Sequence, residues 1–372
     1  MSKKFSIFLS ALFCTFIGGV AVISLLLPDK DFSPLENRYL QDPPRLSLEN
    51  LNSGKFMEDA EDYVSDHIVG RDFWVAAKAW SERLSGKQES NGVYFGKQDT
   101  LINRVDTPSQ AKLDKDIGYL DTLVGNVSVP VYFGLIPSAA EIWRGRLPAG
   151  APTADEKAII DQLYFSTGAS TIDLYGALES KSAGDIYYRT DHHWTSLGAF
   201  YGANAILEAM GMEPLELDSY QKTTVTDQFY GTSFSTSGVR WLPPDSIDTY
   251  VPGDGVKVTS YFNGAPEEGS LYVDSKLEVK DKYSYFLGGN QALCVIETEH
   301  TDAPSVLVVR DSYTDSLAPF LTERFSKIHL FDLRYNLTSI QSYVEEHDID
   351  TVIVLYSFSN FASDDKLFLL AR

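Results

Sequence analysis

Two short segments hold side chains whose types and spacing suit covalent chemistry. The first is Tyr187-Tyr188-Arg189-Thr190-Asp191-His192-His193-Trp194-Thr195, which places an acid and two imidazoles directly before a stretch of helical character. Three arrangements fit such crowding: a metal site, a catalytic acid-histidine pair, or a hydrogen-bonded corner in which Asp191 closes a turn. The other histidines, His67, His300, His329 and His347, lie at none of the pair spacings of zinc motifs, which weighs against a metal. The second segment is Val308-Val309-Arg310-Asp311-Ser312-Tyr313, an apolar run leading into a serine and then a helix. Taken alone, Ser312 is equally a helix N-cap, a role for which Asp311 competes.

Together the segments suit nucleophilic catalysis. A serine hydroxyl is a weak nucleophile at neutral pH, so it needs an imidazole to take its proton and a carboxylate to fix that imidazole's tautomer. Asp191 and His193, two positions apart in an extended loop, point to one side and supply both, with His192 expected to point away. At the end of a buried strand Ser312 stands where open α/β sheets bind ligands. The following helix offers free N–H groups and a positive dipole end to an oxyanion.

The elements that must hold these residues follow from hydrophobic periodicity. From Val129 on, strands alternate with helices: 129–136, a helix over 153–167, 170–174, and a helix over 195–210 that Thr195 or Ser196 caps. The alternation resumes with Ser305–Val309, a helix over 313–325, 327–333 and 351–356, the mark of a parallel α/β sheet flanked by helices. Between them, residues 217–285 carry Gly, Pro, Thr and Tyr clusters and period-2 runs such as 256–262 and 270–279, which predicts a β-rich insertion. The run Leu293-Cys294-Val295-Ile296 reads as a further strand with Cys294 as a small buried side chain.

Composition bounds the partners. The 372 residues carry a net charge of -21, so a phosphate backbone is repelled and nucleic acid is not an expected partner. Two cysteines, Cys14 and Cys294, are too few for a disulfide framework. No cofactor and no metal is expected. Lys3 and Lys4 precede an uncharged apolar run from Phe5 to Leu27, long enough to cross a bilayer and without a small-x-small cleavage site. This predicts an uncleaved single-pass anchor over 1–28 with the bulk of the chain on the extracytoplasmic side. A Pro-rich linker over 29–55 follows, then one α/β domain over 56–372 that opens on amphipathic helices between 56 and 84.

Asp191-His192-His193-Trp194 resembles the motif after which the DHHW protein family is named. The resemblance extends to Gly70-Arg71-Asp72, Asn91-Gly92-Val93-Tyr94-Phe95-Gly96-Lys97, Phe229-Tyr230-Gly231-Thr232, Gly288-Gly289-Asn290 and Arg310-Asp311-Ser312-Tyr313. That family is similar to the SGNH-hydrolase-like domain of bacterial alginate O-acetylation proteins, in which Asp-x-His precedes the serine, as it does here. The resemblance implies a permuted SGNH-like fold, a serine acyl-enzyme on Ser312 and acetyl transfer to, or removal from, the hydroxyls of a cell-surface polysaccharide. By analogy it implies a membrane O-acyltransferase partner that supplies the acyl group. Two other readings stand beside this one: a non-catalytic envelope scaffold, and a metal-dependent hydrolase using Asp191, His192 and His193. Supporting roles are expected for Gly289 and Asn290 at the oxyanion, for Arg310 and Arg334 against a sugar carboxylate or phosphate, and for Trp194 and Tyr313 against sugar faces or as pocket wall.

Overall fold

A computed structural model describes residues 3–262 and 264–372. The chain divides into two compact units: the residues up to Asn91 with Ser235–Trp241, and Gly92–Phe234 with Leu242–Arg372. The first opens on an α-helix over Lys3–Leu26 that buries no residue and has a mean hydropathy of 2.3 over its most apolar window. Helices Lys55–His67 and Arg71–Leu84 gather with it. Ser24 Oγ accepts the Val69 amide at 2.9 Å, and the Phe16 and Trp74 rings meet edge to face at 6.3 Å. The helices expected to open the α/β domain at residue 56 therefore lie in this unit. The 29–55 stretch is likewise not wholly extended. Phe32–Ser33 pairs with Arg38–Tyr39, Leu48–Ser53 is helical, and Arg38 and Glu36 are tied to Asp66 and Arg71 by ion pairs.

The second unit is built on an eight-stranded sheet: β1 (Val131–Ile136), β2 (Ser170–Thr171), β3 (Lys257–Tyr261), β4 (Glu267–Gly269), β5 (Leu293–Glu297), β6 (Ser305–Arg310), β7 (Lys327–Phe331) and β8 (Thr351–Ser357). The spatial order is β4-β3-β5-β7-β6-β8-β1-β2. Pairing from β7 through β2 is parallel, while β5, β3 and β4 extend the sheet antiparallel. Every residue of β6 and β8 is buried, as continuous apolar runs at the centre of a covered parallel sheet require. Helices Gln110–Asn126, Glu156–Ser166, Ser196–Ala209 and Thr314–Leu321 lie with this sheet, and the last two pack on each other. Cys294 is buried in β5 and has no disulfide partner.

Within 217–285, strands Thr223–Phe229 and Asp245–Thr249 form a separate antiparallel pair, whereas β3 and β4 join the main sheet. The alternating run 270–279 is not a strand: Asp274–Glu278 is a 3₁₀ turn. Nor does 170–174 continue as one, because Asp173 accepts the Gly176 amide and caps a helix over Leu174–Glu179. A second aromatic core, made of Tyr188, Phe229, Ile247, Tyr283, Tyr285 and Phe286, packs beside the sheet.

Candidate active site

The Asp191 loop is held by neighbours on every side. Tyr187 bridges to Trp194, Tyr188 N–H donates to His193 C=O at 3.2 Å, and Thr195 caps the helix that begins at Ser196. The Asp245 carboxylate, from the antiparallel pair, accepts the Arg189 and Thr190 amides at 3.2 and 2.8 Å, the Arg189 Nε at 3.0 Å and the Thr190 hydroxyl at 2.6 Å. The 217–285 stretch thus carries the clamp on this loop. Trp194 is fully buried, and its indole N–H donates to Tyr313 C=O at 2.9 Å and Ser316 Oγ at 3.1 Å. Gly202 makes this possible, since a Cβ there would come within 2.7 Å of the indole ring.

The Ser312 segment is fixed by Asp311. One carboxylate oxygen accepts the Tyr313 amide at 3.0 Å; the other accepts the Ser357 amide, the Ser357 hydroxyl and the Asn360 side chain at 2.8, 2.7 and 2.7 Å. The helix itself starts at Thr314 with no side-chain cap, so Ser312 is not spent as an N-cap.

The two segments bring three side chains into one hydrogen-bonded line. Asp191 Oδ1 lies 2.6 Å from His193 Nδ1 and accepts the His193 amide at 2.9 Å. Oδ2 accepts the Thr232 amide at 2.7 Å and its hydroxyl at 3.0 Å. Burial opposes ionisation of Asp191, but the His192 and His193 imidazoles and these hydrogen bonds hold it well below the usual carboxylate range. An ionised Asp191 only accepts, so His193 Nδ1 carries the proton, and Nε2, 2.8 Å from Ser312 Oγ, is left to accept from that hydroxyl. Asp191 and His193 are buried and Ser312 is half-buried.

His193 is also gripped on both faces. The Tyr283 ring stacks on it at 3.8 Å and 9°, and the His192 ring covers the other side at 3.8 Å and 36°. The Tyr283 hydroxyl lies 3.1 Å from both Ser312 C=O, to which it donates, and Ser316 Oγ. His192 therefore does not point away. Its Nδ1 is 2.6 Å from Thr232 Oγ1, its backbone carbonyl accepts the Tyr313 hydroxyl, and burial beside His193 lowers its pKa to about 4. Sequence reasoning missed Thr232, Tyr283 and Asp245. Thr232 ends the Phe229–Thr232 motif, which was its one signal; nothing local marks the other two.

The ligand atoms of Asp191, His192 and His193 all lie within 4.8 Å of one another. As a metal centre they fit poorly. Both Asp191 oxygens, both His193 nitrogens and His192 Nδ1 are already hydrogen-bonded, so an ion would have to break the line to Ser312.

Other expected contributors lie elsewhere. Arg310 is fully buried, with Nη1 2.8 Å from Asp315, out of reach of a sugar carboxylate or phosphate. Burial raises Asp315 to about 7 even so, against the pull of Arg310. Arg334 is paired to Asp332 at 2.6 Å and reaches Asn290 Oδ1 at 3.2 Å. Gly289 has φ +104, where a side chain would be strained, and its amide closes a turn on Phe286. No hydrogen bond or ion pair among the described residues joins Gly289, Asn290 or Arg334 to the Asp191, His193 and Ser312 line. Tyr313 is wall of the adjacent cavity and Trp194 is core, each fixed by its own hydrogen bond.

With this geometry in place, residues 153–331 match the family model described as DHHW protein. A curated relative, the probable alginate O-acetylase AlgJ of Pseudomonas putida, is 23% identical over 226 residues, 56% of this chain. The match spans 57% of that relative's own length. A solved DHHW family protein from Eubacterium siraeum is similar with a TM-score of 0.68 at 24% identity, over 76% of this chain and 95% of that one. Bacillus cereus PatB1, solved with a sulfonyl adduct, gives 0.60 at 20% identity over 74% and 99%. These likenesses establish the fold, an α/β arrangement with a mostly parallel central sheet flanked by helices.

Proposed function

We propose that this chain is a serine-dependent acyltransferase acting outside the cytoplasm on a polysaccharide, with Asp191, His193 and Ser312 as its triad. The observation that carries the reading is the unbroken line from the Asp191 carboxylate through both His193 nitrogens to Ser312 Oγ. The name of the curated relative, an alginate O-acetylase, supports an acyl group as cargo and a polysaccharide as acceptor.

In this mechanism Ser312 Oγ attacks the carbonyl carbon of an activated acyl ester while His193 Nε2 takes its proton. Asp191 holds the tautomer and stabilises the imidazolium. The Ser312 amide, at the approach to the Thr314–Leu321 helix, donates to the oxyanion. The intermediate collapses, the leaving group departs with the proton from His193, and acyl-Ser312 remains. A sugar hydroxyl then attacks that ester, its proton passes to His193, the bond to Oγ breaks, and Oγ is reprotonated. Water in place of the sugar gives the esterase outcome. The Lys3–Leu26 helix anchors the chain, and Lys3 and Lys4 hold its start on the cytoplasmic side. An O-acyltransferase of the membrane supplies the acyl group.

The test is intact mass after treatment with a membrane-impermeant arylsulfonyl fluoride, on detergent-solubilised protein and on intact cells, for wild type and Ser312→Ala. One adduct in both settings, absent from the variant, is expected. Well-folded protein that never labels points instead to a scaffold, and labelling only after cell lysis overturns the assigned side of the membrane.

A further inference from the structure

A cavity of about 280 Å³ opens beside the His192 face of the ring stack and takes its walls from the 101–105, 138–140, 191–192, 232, 313 and 357–360 segments. Its hydrogen-bonding residues are Asn103, Ser138, His192, Thr232, Ser359 and Asn360, with Tyr313 and Ser357, whose hydroxyls donate to the His192 carbonyl and to Asp311, and its one charged side chain is Asp191. Several of these groups are already committed. Ser138 bonds Glu156 and the Ala140 amide, and the Asn360 NH₂ donates to Asp311. The Thr232 hydroxyl hydrogen goes to Asp191, so the His192 Nδ1–H must donate to Thr232 Oγ1. That fixes the His192 tautomer and leaves its Nε2 as an acceptor. Among the described residues, the Asn103 amide, the Ser359 hydroxyl and the Asn360 Oδ1 have no hydrogen-bond partner.

We propose that this cavity is the acceptor subsite, and that it takes one ring of a neutral sugar through its hydroxyls and turns a uronate away. This rests on the acyl-transfer reading and narrows its substrate class. A ring of uncharged donors and acceptors matches alternating sugar O–H groups, which both donate and accept. A uronate carboxylate would find no cation among the lining residues and would lie against the Asp191 charge, so desolvating it there is opposed twice. The net charge of -21 adds a repulsion that a polyuronate meets before it docks. His192 Nε2 accepts a hydrogen bond from one sugar hydroxyl. The neighbouring hydroxyl attacks acyl-Ser312, gives its proton to His193 Nε2 and keeps the acyl group as its ester, and Ser312 Oγ takes the proton back.

The experiment uses the full chain in detergent with p-nitrophenyl acetate as donor. The acceptors are a neutral panel (cellobiose, maltose, chitobiose) and a mannuronate disaccharide, and ester formation is read by mass spectrometry. Sulfonyl labelling of wild type runs alongside. We expect at least one neutral disaccharide to exceed the uronate by about tenfold or more in kcat/KM. Asn103→Leu, an exposed position, should raise acceptor KM about fivefold with a smaller change in kcat. Labelled wild type that prefers the uronate, acetylates no neutral sugar, or shows the same acceptor KM after Asn103→Leu overturns the subsite and leaves Ser312 chemistry standing. Wild type that never labels removes the underlying reading instead.

Discussion

At position 231 the backbone passes so close to Asp191 that a Cβ would lie 2.2 Å from the carboxylate Oδ2 and from the Asp191 Cβ. Glycine is required there by contact, not by backbone conformation, and any side chain must push the carboxylate off His193. Gly231→Ala is therefore expected to lower acyl-transfer kcat about 100-fold, because a displacement near 1 Å in a reacting array has that effect. Steady-state kinetics, with near-UV circular dichroism to confirm folding, checks it. The same contact explains what was readable at this scale. Asp191, His193 and Ser312 announce themselves by chemical type, and their spacing limits the roles they can share. The residues that brace them do not. Tyr283 is one tyrosine among 21, and only the fold stacks it on His193. Arg310 misled because a cation at a strand end looks available, whereas here it is fully buried against Asp315.

At the scale of elements, Asp311 joins the turn after β6 to the end of β8 through four accepted hydrogen bonds. Asp311→Ala strands the Ser357 and Tyr313 amides. It should destabilise the protein by about 2–4 kcal/mol, read from the urea midpoint at unchanged m-value. The nucleophile's position thus depends on two strands that are neighbours in space and distant in sequence. Buried strands such as Ser305–Arg310 were legible because a continuous apolar run leaves few alternatives. The run 270–279 was not, because alternation among polar residues makes a strand only where a partner edge exists, and here that edge is limited to the Tyr272–Phe286 bridge before the chain turns into 3₁₀ helix at Asp274. The Asp191 loop was legible as a loop; that Asp245 would clamp it was not, since the pairing is long-range.

The molecule as a whole carries buried carboxyl groups that shape its response to pH. Burial raises Glu156 from 4.5 to about 7, against the pull of its hydrogen bonds from Ser138. The folded protein keeps that proton over a range where the unfolded chain has lost it. Its contribution to stability is full below pH 4.5 and is lost as the pH climbs through 7. Asp315, raised from 3.8 to about 7, acts in the same direction. His192 and His329, lowered by burial from 6.5 to about 4, act in the opposite direction up to pH 6.5, so the carboxyl effect stands alone above that, and the melting temperature should fall by about 2 °C between pH 6.5 and 8. Glu156→Gln, which has no charge to gain, should flatten that slope; an equal slope in the variant rules Glu156 out as its source.

The spatial order of the sheet has a consequence for how the protein comes into being. β8, which follows the other seven strands of this sheet in the chain, sits between β6 and β1 in the middle of the parallel strands, so β1 leaves the ribosome with its main partner still unmade. Through most of translation its apolar edge needs shelter from other chains. A message that ends before residue 351 encodes Asp191, His193 and Ser312 in full, yet its product has no centre on which to assemble them. The site can therefore be assembled only after β8 has joined the sheet between β6 and β1.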